Sequence, residues 1–327
     1  MSLRRLTACR HDGLPEAPSS PRYVFSSMFS LATLWIPFVV LASLGQVARN
    51  AMQRELTASL GTVGATHVRF LFGFPFAVLF VAAVIFVTGD IVSWPNLTFW
   101  LWLAMGAMTQ ILATGLMLAA MNERSFVVTT AYIKTEPIQA ALFGFIFLAD
   151  HLTWLKVLAI LIATAGVVIT AIRPGGEKSF GDLRPTVLGL AAAAGFALSA
   201  VGFRGAILNV GGVSFVTAAS FTLVLGLFMQ TVVLSAYLLL RDRKTLVALF
   251  QMWRPSMFAG FMGAAASQFW FLAFALTSVA NVRTLALIEV LFAQGISYYS
   301  FKQPIALREA GGIVLIVIGV AVLIAVQ

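Results

Sequence analysis

The stretch Tyr132-Ile133-Lys134-Thr135-Glu136-Pro137-Ile138-Gln139 decides how this chain is read, because it lies inside an apolar run from Phe126 to Leu148. A run of about 20 residues spans a bilayer, so Lys134 and Glu136 fall near the middle of a span. An ionisable side chain at that depth costs about 2.5–3.5 kcal/mol on insertion scales. Pro137 removes a backbone donor and loosens the turn before it, releasing a carbonyl near Ile133. A segment that only had to span would use none of these residues. The stretch reads as a functional centre.

The same stretch recurs downstream. Ala131 to Gly166 lies over Thr284 to Gly319 without a gap, placing Glu136 on Glu289 (289 − 136 = 153) and Gly166 on Gly319 (319 − 166 = 153). Further upstream, Ala48-Arg49-Asn50-Ala51 lies over Phe203-Arg204-Gly205-Ala206 (204 − 49 = 155). The spacing predicts a tandem duplication.

Composition sets the class. The 327 residues are 60% hydrophobic and 10% charged, with a mean hydropathy of +0.96. Soluble domains carry nearer ~25% charged residues, so the expected fold is an all-α polytopic membrane protein. The single cysteine, Cys9, excludes a disulfide framework, and His11, His67 and His151 lie too far apart to suggest metal ligands. No metal or other cofactor is expected. The formal charge of +9 is scattered through short loops, which suits anionic lipid and membrane topology better than nucleic acid.

Residues 1–27 are polar, with Arg4, Arg5, Arg10 and Arg22 among three prolines, and no apolar core follows Arg5. They read as a disordered tail rather than a signal peptide, with Met28 an alternative start. Ten apolar runs follow. The first five are Leu31–Arg49, His67–Val87, Phe99–Met121, Phe126–Leu148 and Leu152–Ile172. The second five are Val187–Ile207, Phe215–Tyr237, Met257–Leu276, Val282–Phe301 and Ile305–Val326. The units are therefore 28–172 and 186–327, joined by a linker over 173–185 that contains Pro174-Gly175-Gly176.

Five spans per unit is odd, so the second unit enters the membrane in the opposite sense to the first. An inverted repeat places its site near the midplane between the halves and suits alternating access. Counting Lys and Arg puts the odd-numbered loops in the cytoplasm, with Arg241, Arg243 and Lys244 their densest group.

Glu136-Pro137 followed by Ala140-Ala141-Leu142-Phe143-Gly144, a short polar turn, and then Leu152 to Gly166 resembles the EamA repeat of the drug/metabolite transporter superfamily. Arg69-Phe70 and Ala275-Leu276 add to the likeness, which covers nearly everything from residue 30 onward. The resemblance implies a ten-helix carrier with a central cavity, in many members an exporter of amino acids or other small metabolites. It also implies cytoplasmic termini, which the arginine count disputes. Three departures stand out: Gln303 where the first copy has Asp150, Val290 after Glu289 where the first copy has Pro137, and Lys134.

The candidate substrate-binding residues are Tyr132, Lys134, Glu136, Gln139, Glu289, Phe292, Gln110, Gln268 and Trp270. On one helix, Tyr132, Glu136, Gln139 and Phe143 share a face. Intramembrane acids usually turn toward a cavity or a proton relay; the plainer alternative is a carboxyl tied to an internal partner. Lys134 has three readings: neutralising Glu289, binding a substrate carboxylate, or filling a polar gap between helices. Glu289, with Phe292 one turn on, is the repeat partner of Glu136. Gln110 and Gln268 either glue helices or line a cavity. Trp270 and Tyr298 lie deep in their spans, whereas Trp94, Trp100, Trp102, Trp154 and Trp253 sit where an aromatic belt would place them. Arg49, Arg69, Arg204 and His67 read as interfacial groups with snorkelling side chains.

These features favour a secondary carrier of small organic metabolites in a bacterial inner membrane. Export is preferred on the resemblance, proton coupling is chemically reasonable, and a homodimer is left open. Uptake of a vitamin or nucleoside-like solute is the alternative. An intramembrane enzyme lacks a deep histidine, an aspartate pair or an HExxH motif, and a channel would more often assemble short subunits.

Overall fold

The computed structural model describes residues 33–123, 132–171, 183–292, 294–295 and 306–326. Among these it is helical throughout its regular structure. In chain order the helices are α1 Trp35–Leu71, α2 Phe74–Thr88, α3 Leu97–Glu123, α4 Glu136–Leu148 and α5 Trp154–Ala171 in the first half. The second half has α6 Leu183–Leu208, α7 Phe215–Arg241, α8 Arg243–Gln251, α9 Trp253–Leu276, α10 Val279–Leu285 with a 3-10 turn at Ala286–Ile288, and α11 Leu307–Ala325. Described helices fall within the expected apolar runs, the fourth run being described only from residue 132 and the ninth continuously only to residue 292. Seven helices among the described residues are long and apolar enough to cross a membrane, and Trp35–Arg49 and Glu136–Leu148 are shorter apolar helices. The expected tail, most of the linker and Tyr298 lie outside the described residues.

Local chemistry explains most of the ends. Ser214, Asp242 and Ser278 cap α7, α8 and α10 by accepting from the backbone N–H three residues on. Pro75 and Pro137 stand in the first turns of α2 and α4, where their missing N–H costs nothing. In α1 the break comes at Gly61, whose φ of 65° and ψ of 179° only glycine adopts readily.

The helices of the two halves pack with a pseudo-two-fold relation. Gly166 of α5 lies so close to α11 that an added Cβ would sit 2.6 Å from the Gly312 carbonyl. Gly319 of α11 is equally tight, with the Ala159 carbonyl 2.8 Å from its would-be Cβ. Going back seven residues along α5 (166 − 159 = 7) goes forward seven along α11 (319 − 312 = 7), so the two helices are antiparallel. They are also the matching fifth helices of the two units. The units are therefore inverted. A second pair of contacts repeats the relation, because Ala113 of α3 meets Gly195 of α6 while Ala266 of α9, 153 residues on (266 − 113 = 153), meets Gly45 of α1. Small residues at these crossings let the backbones approach in a lipid-like setting where burial of apolar groups gives little drive.

One end of the bundle is laced together by polar groups. In the loop between α2 and α3, Asp90 accepts from Ser214 N (3.0 Å), Ser214 Oγ (2.7 Å) and Thr217 Oγ1 (2.6 Å) at the start of α7. These bonds, the Thr217 hydroxyl first, hold its carboxyl down at about 2. At the same end Arg204 of α6 reaches Asp150 (3.4 Å) and donates to the carbonyls of Phe274 (2.8 Å) and Thr277.

Candidate functional site

Both repeat-related glutamates stand at breaks in a helix. Tyr132 and Ile133 are helical, Lys134 and Thr135 form a turn, and α4 begins at Glu136. Thr135 ties the turn down, its N–H (3.1 Å) and its hydroxyl (2.6 Å) both donating to the Tyr132 carbonyl. Pro137 thus opens a new helix instead of loosening the middle of an old one. The expected stripe of Tyr132, Glu136, Gln139 and Phe143 on one helix face is divided by that turn. In the second half, α10 gives way to the 3-10 turn at Ala286–Ile288, and Glu289 follows it directly. Valine after Glu289 does not prevent the break. Residues released from helical register at membrane depth are tolerated where they are buried in protein or line a cavity.

The two breaks meet across the centre of the bundle. Lys134 Nζ forms an ion pair with Glu289 Oε1, their side chains 18% and 13% exposed. Of the three readings for Lys134, neutralisation of Glu289 is what the structure holds. The other Glu289 oxygen accepts from Gln46 Nε2 at 3.0 Å. Gln46 in turn accepts from the Trp270 indole at 3.2 Å. Arg283 Nε lies 2.9 Å from Glu136 Oε1, an ionic contact, while the guanidinium stacks over Trp270 (5.1 Å) and Phe274 (5.3 Å). Lys134, Glu136, Glu289 and Trp270 therefore belong to one connected group, with Gln46 and Arg283 added by the fold.

The remaining candidates lie around it. Tyr132 Oη bonds Thr186 Oγ1 of α6 at 2.9 Å. Gln139 donates to Thr135 Oγ1 (3.3 Å) and to the Leu190 carbonyl (3.4 Å). Gln110 is paired with Gln230 of α7 (2.7 Å), which also reaches the Ala107 carbonyl. Gln268 donates to Ser220 Oγ of α7 at 2.8 Å. These amides join helices to one another and are separate from the charged group. Phe292 is half-buried just beyond Glu289.

The arginines read as interfacial are not so. Arg49 is 9% exposed, and Arg69 shares its setting: the aliphatic stems of both lie against Gly263 of α9. The reason is that α1 continues past the last apolar residue of the first span, so Arg49 remains inside the helix packing. His67 is also fully buried, its Nε2 bonded to Ser235 Oγ at 2.9 Å. Arg204 is held by Asp150 and two carbonyls rather than by the interface. Gln46 and Arg283 carried little signal in the sequence; asking which cation on the mirrored helix could meet Glu136 would have pointed to Arg283.

Comparison with known proteins gives the family. A search of curated proteins returns no match. One solved structure, titled only "Crystal structure of protein", superposes with a TM-score of 0.67 at 14% identity, covering 89% of this chain and 94% of that one. At that identity the likeness speaks for the fold alone. A model of the EamA-like transporter family matches twice, over residues 33–172 and 184–325. With two matches that together span most of its length, this integral membrane protein belongs to the EamA-like transporter family.

Proposed function

We propose that the chain is a secondary carrier that moves a small organic metabolite by alternating access, with the substrate seated between the two helix breaks. The observation that supports this reading most is the meeting of Lys134-Glu136 and Glu289 at pseudo-symmetric breaks in the two inverted halves. A site shared between inverted halves changes its exposed side when one half rocks against the other. The ion pairs at that site link the halves: Lys134 and Glu136 come from the first, Glu289 and Arg283 from the second. Rocking must stretch or exchange these contacts, and a substrate that replaces one partner lowers the barrier to doing so. In this reading Glu136, Glu289 and Lys134 contact the substrate, and Trp270, Tyr132 and Gln139 shape the space around them. Gln110, Gln268 and Phe292 support the helices that carry the site.

Proton coupling fits the same geometry, since a carboxyl that trades a cation for a proton between states moves one charge per cycle. Export in a bacterial inner membrane is the direction and place favoured by the family likeness. The test is counterflow. Purified protein in vesicles loaded with a soluble-metabolite extract should release particular solutes, and release should quicken when those solutes are also supplied outside. Release that outside solute leaves unchanged would point to a channel, and no release at all would overturn the carrier reading.

A further inference from the structure

We propose that α8 is a docking site for an anionic phospholipid, with Arg243 and Lys244 holding its phosphate and Val247 and Phe250 its acyl chains. The proposal concerns the lipid partner of the protein and is independent of the carrier reading.

The short helix stands where the lipid-facing surface ends. It joins α7 to α9, and both neighbours expose apolar side chains close to the junction, Leu239 and Leu240 on α7 and Phe258 on α9. α8 itself is two-sided. Leu249 is buried and Leu246 half-buried in a cluster with Leu56, Leu60 and Leu238. On the opposite side Arg243, Lys244, Val247 and Gln251 share a face at helical spacing, and all four are exposed. Together with Ala248 they line an open depression of about 360 Å³. Phe250 flanks this face, more than half exposed although its ring leans on Phe72 at 6.3 Å. A short helix that pairs cations with exposed apolar groups suits the headgroup boundary of a bilayer.

Charge points the same way. Residues 241–254 hold four cations, Arg241, Arg243, Lys244 and Arg254, and one acid, Asp242, a net charge of +3 (4 − 1 = 3). Asp242 is engaged as the cap of α8, accepting from Thr245 N (3.2 Å) and Thr245 Oγ1 (2.6 Å). Among the described residues no carboxylate forms an ion pair with the four cations. Arg243 Nε donates to the Leu239 carbonyl at 2.9 Å, which steadies the guanidinium and leaves its terminal nitrogens for a phosphate. Beyond the other end of α8, Arg254 stacks over the exposed Trp253 at 5.5 Å, an aromatic and cation of the kind found at headgroup level. Cations in the first turn of a helix oppose its dipole, so α8 gains nothing from Arg243 and Lys244 until an anion lies over them. A free phosphate would use the cations alone. The exposed Val247 and Phe250 beside them favour a phosphate that carries chains.

The test counts lipids. Purified protein is placed in nanodiscs of equal parts phosphatidylcholine and phosphatidylglycerol, and the lipids it retains on release are counted by native mass spectrometry. Phosphatidylglycerol should be retained in preference. Each cation near an anionic headgroup contributes about fivefold (~1 kcal/mol), so Arg243→Gln/Lys244→Gln should lower that preference about tenfold or more. Both side chains are exposed, and an unchanged melting temperature in phosphatidylcholine confirms that the variant folds. Lys156→Gln, which removes a cation on α5, should leave the preference as it is. Equal retention of the two lipids by the wild type, or an unchanged preference in the folded double variant, would overturn the proposal. An equal loss with Lys156→Gln would trace the preference to net charge and overturn the site. Displacement of the lipid by chain-free glycerophosphoglycerol at matched concentration would show a free-phosphate site instead. The carrier reading survives each of these results.

Discussion

Removing one charge of the Lys134–Glu289 pair should harm the fold more than removing both. The two side chains are mostly buried, 18% and 13% exposed. In Lys134→Met, Glu289 keeps only the Gln46 amide (3.0 Å) as a donor. In Glu289→Gln, Lys134 faces a neutral group. Breaking a buried pair from one side typically costs ~3–5 kcal/mol, while replacing both partners is often close to neutral. Residual exposure argues for the lower end, about 3 kcal/mol for each single change and about 1 kcal/mol or less for the double. The coupling should thus be about 5 kcal/mol, well above the few tenths expected of independent sites. Reversible unfolding in mixed detergent micelles, followed by tryptophan fluorescence, gives the three differences. If the penalties of the single changes simply add in the double variant, the pair does not exist as described. Flux in the double variant separates glue from function: a stable but inactive carrier is expected, and restored transport would reduce the pair to a structural role.

Further outcomes follow from the packing and the loops. Gly166→Val should abolish assembly of the α5–α11 crossing and with it detergent-stable protein, because the added Cβ would meet the Gly312 carbonyl at 2.6 Å; size-exclusion profiles decide. Asp90→Asn should lower the melting temperature at neutral pH. Its carboxyl is held at about 2, below the ordinary 3.8 of the unfolded chain, so its contribution is present above about pH 4 and fades as pH falls toward 2. The gap between wild type and variant should close over that range. A cysteine at exposed Gln251, with Cys9 replaced by serine, should react with an impermeant reagent only after permeabilisation, because Arg241, Arg243 and Lys244 beside it favour the cytoplasm.

The architecture was readable because it is written in periodicities. Apolar runs located the helices, and the 153-residue shift aligned Gly166 with Gly319, residues that hold mirror-image places in the α5–α11 crossing. Glu136 and Glu289 could be paired by the same shift. What could not be read was who meets whom across the halves. Gln46 bonds Glu289, 243 residues away, and nothing local to Gln46 distinguishes it from any other amide at a span end. Arg49 misled for a physical reason. Hydropathy ends a span at its first charge, whereas the helix itself runs on to the glycine break at 61 and keeps that charge inside. Pro137 carried the right signal in the wrong place: a proline can kink a helix or begin one, and the Thr135 turn decides for a beginning.

The most direct measurement of the central claim, that the paired helix breaks form the transport site, is the flux of Glu136→Gln in reconstituted vesicles, compared with Glu289→Gln. Glutamine keeps the shape and accepts the same hydrogen bonds but carries no charge and releases no proton. The expected result is loss of transport per folded molecule for Glu136→Gln, which melts lower because its contact with Arg283 is lost, and a different defect for Glu289→Gln, which removes the partner of Lys134. Wild-type flux through folded Glu136→Gln protein would contradict the site assignment.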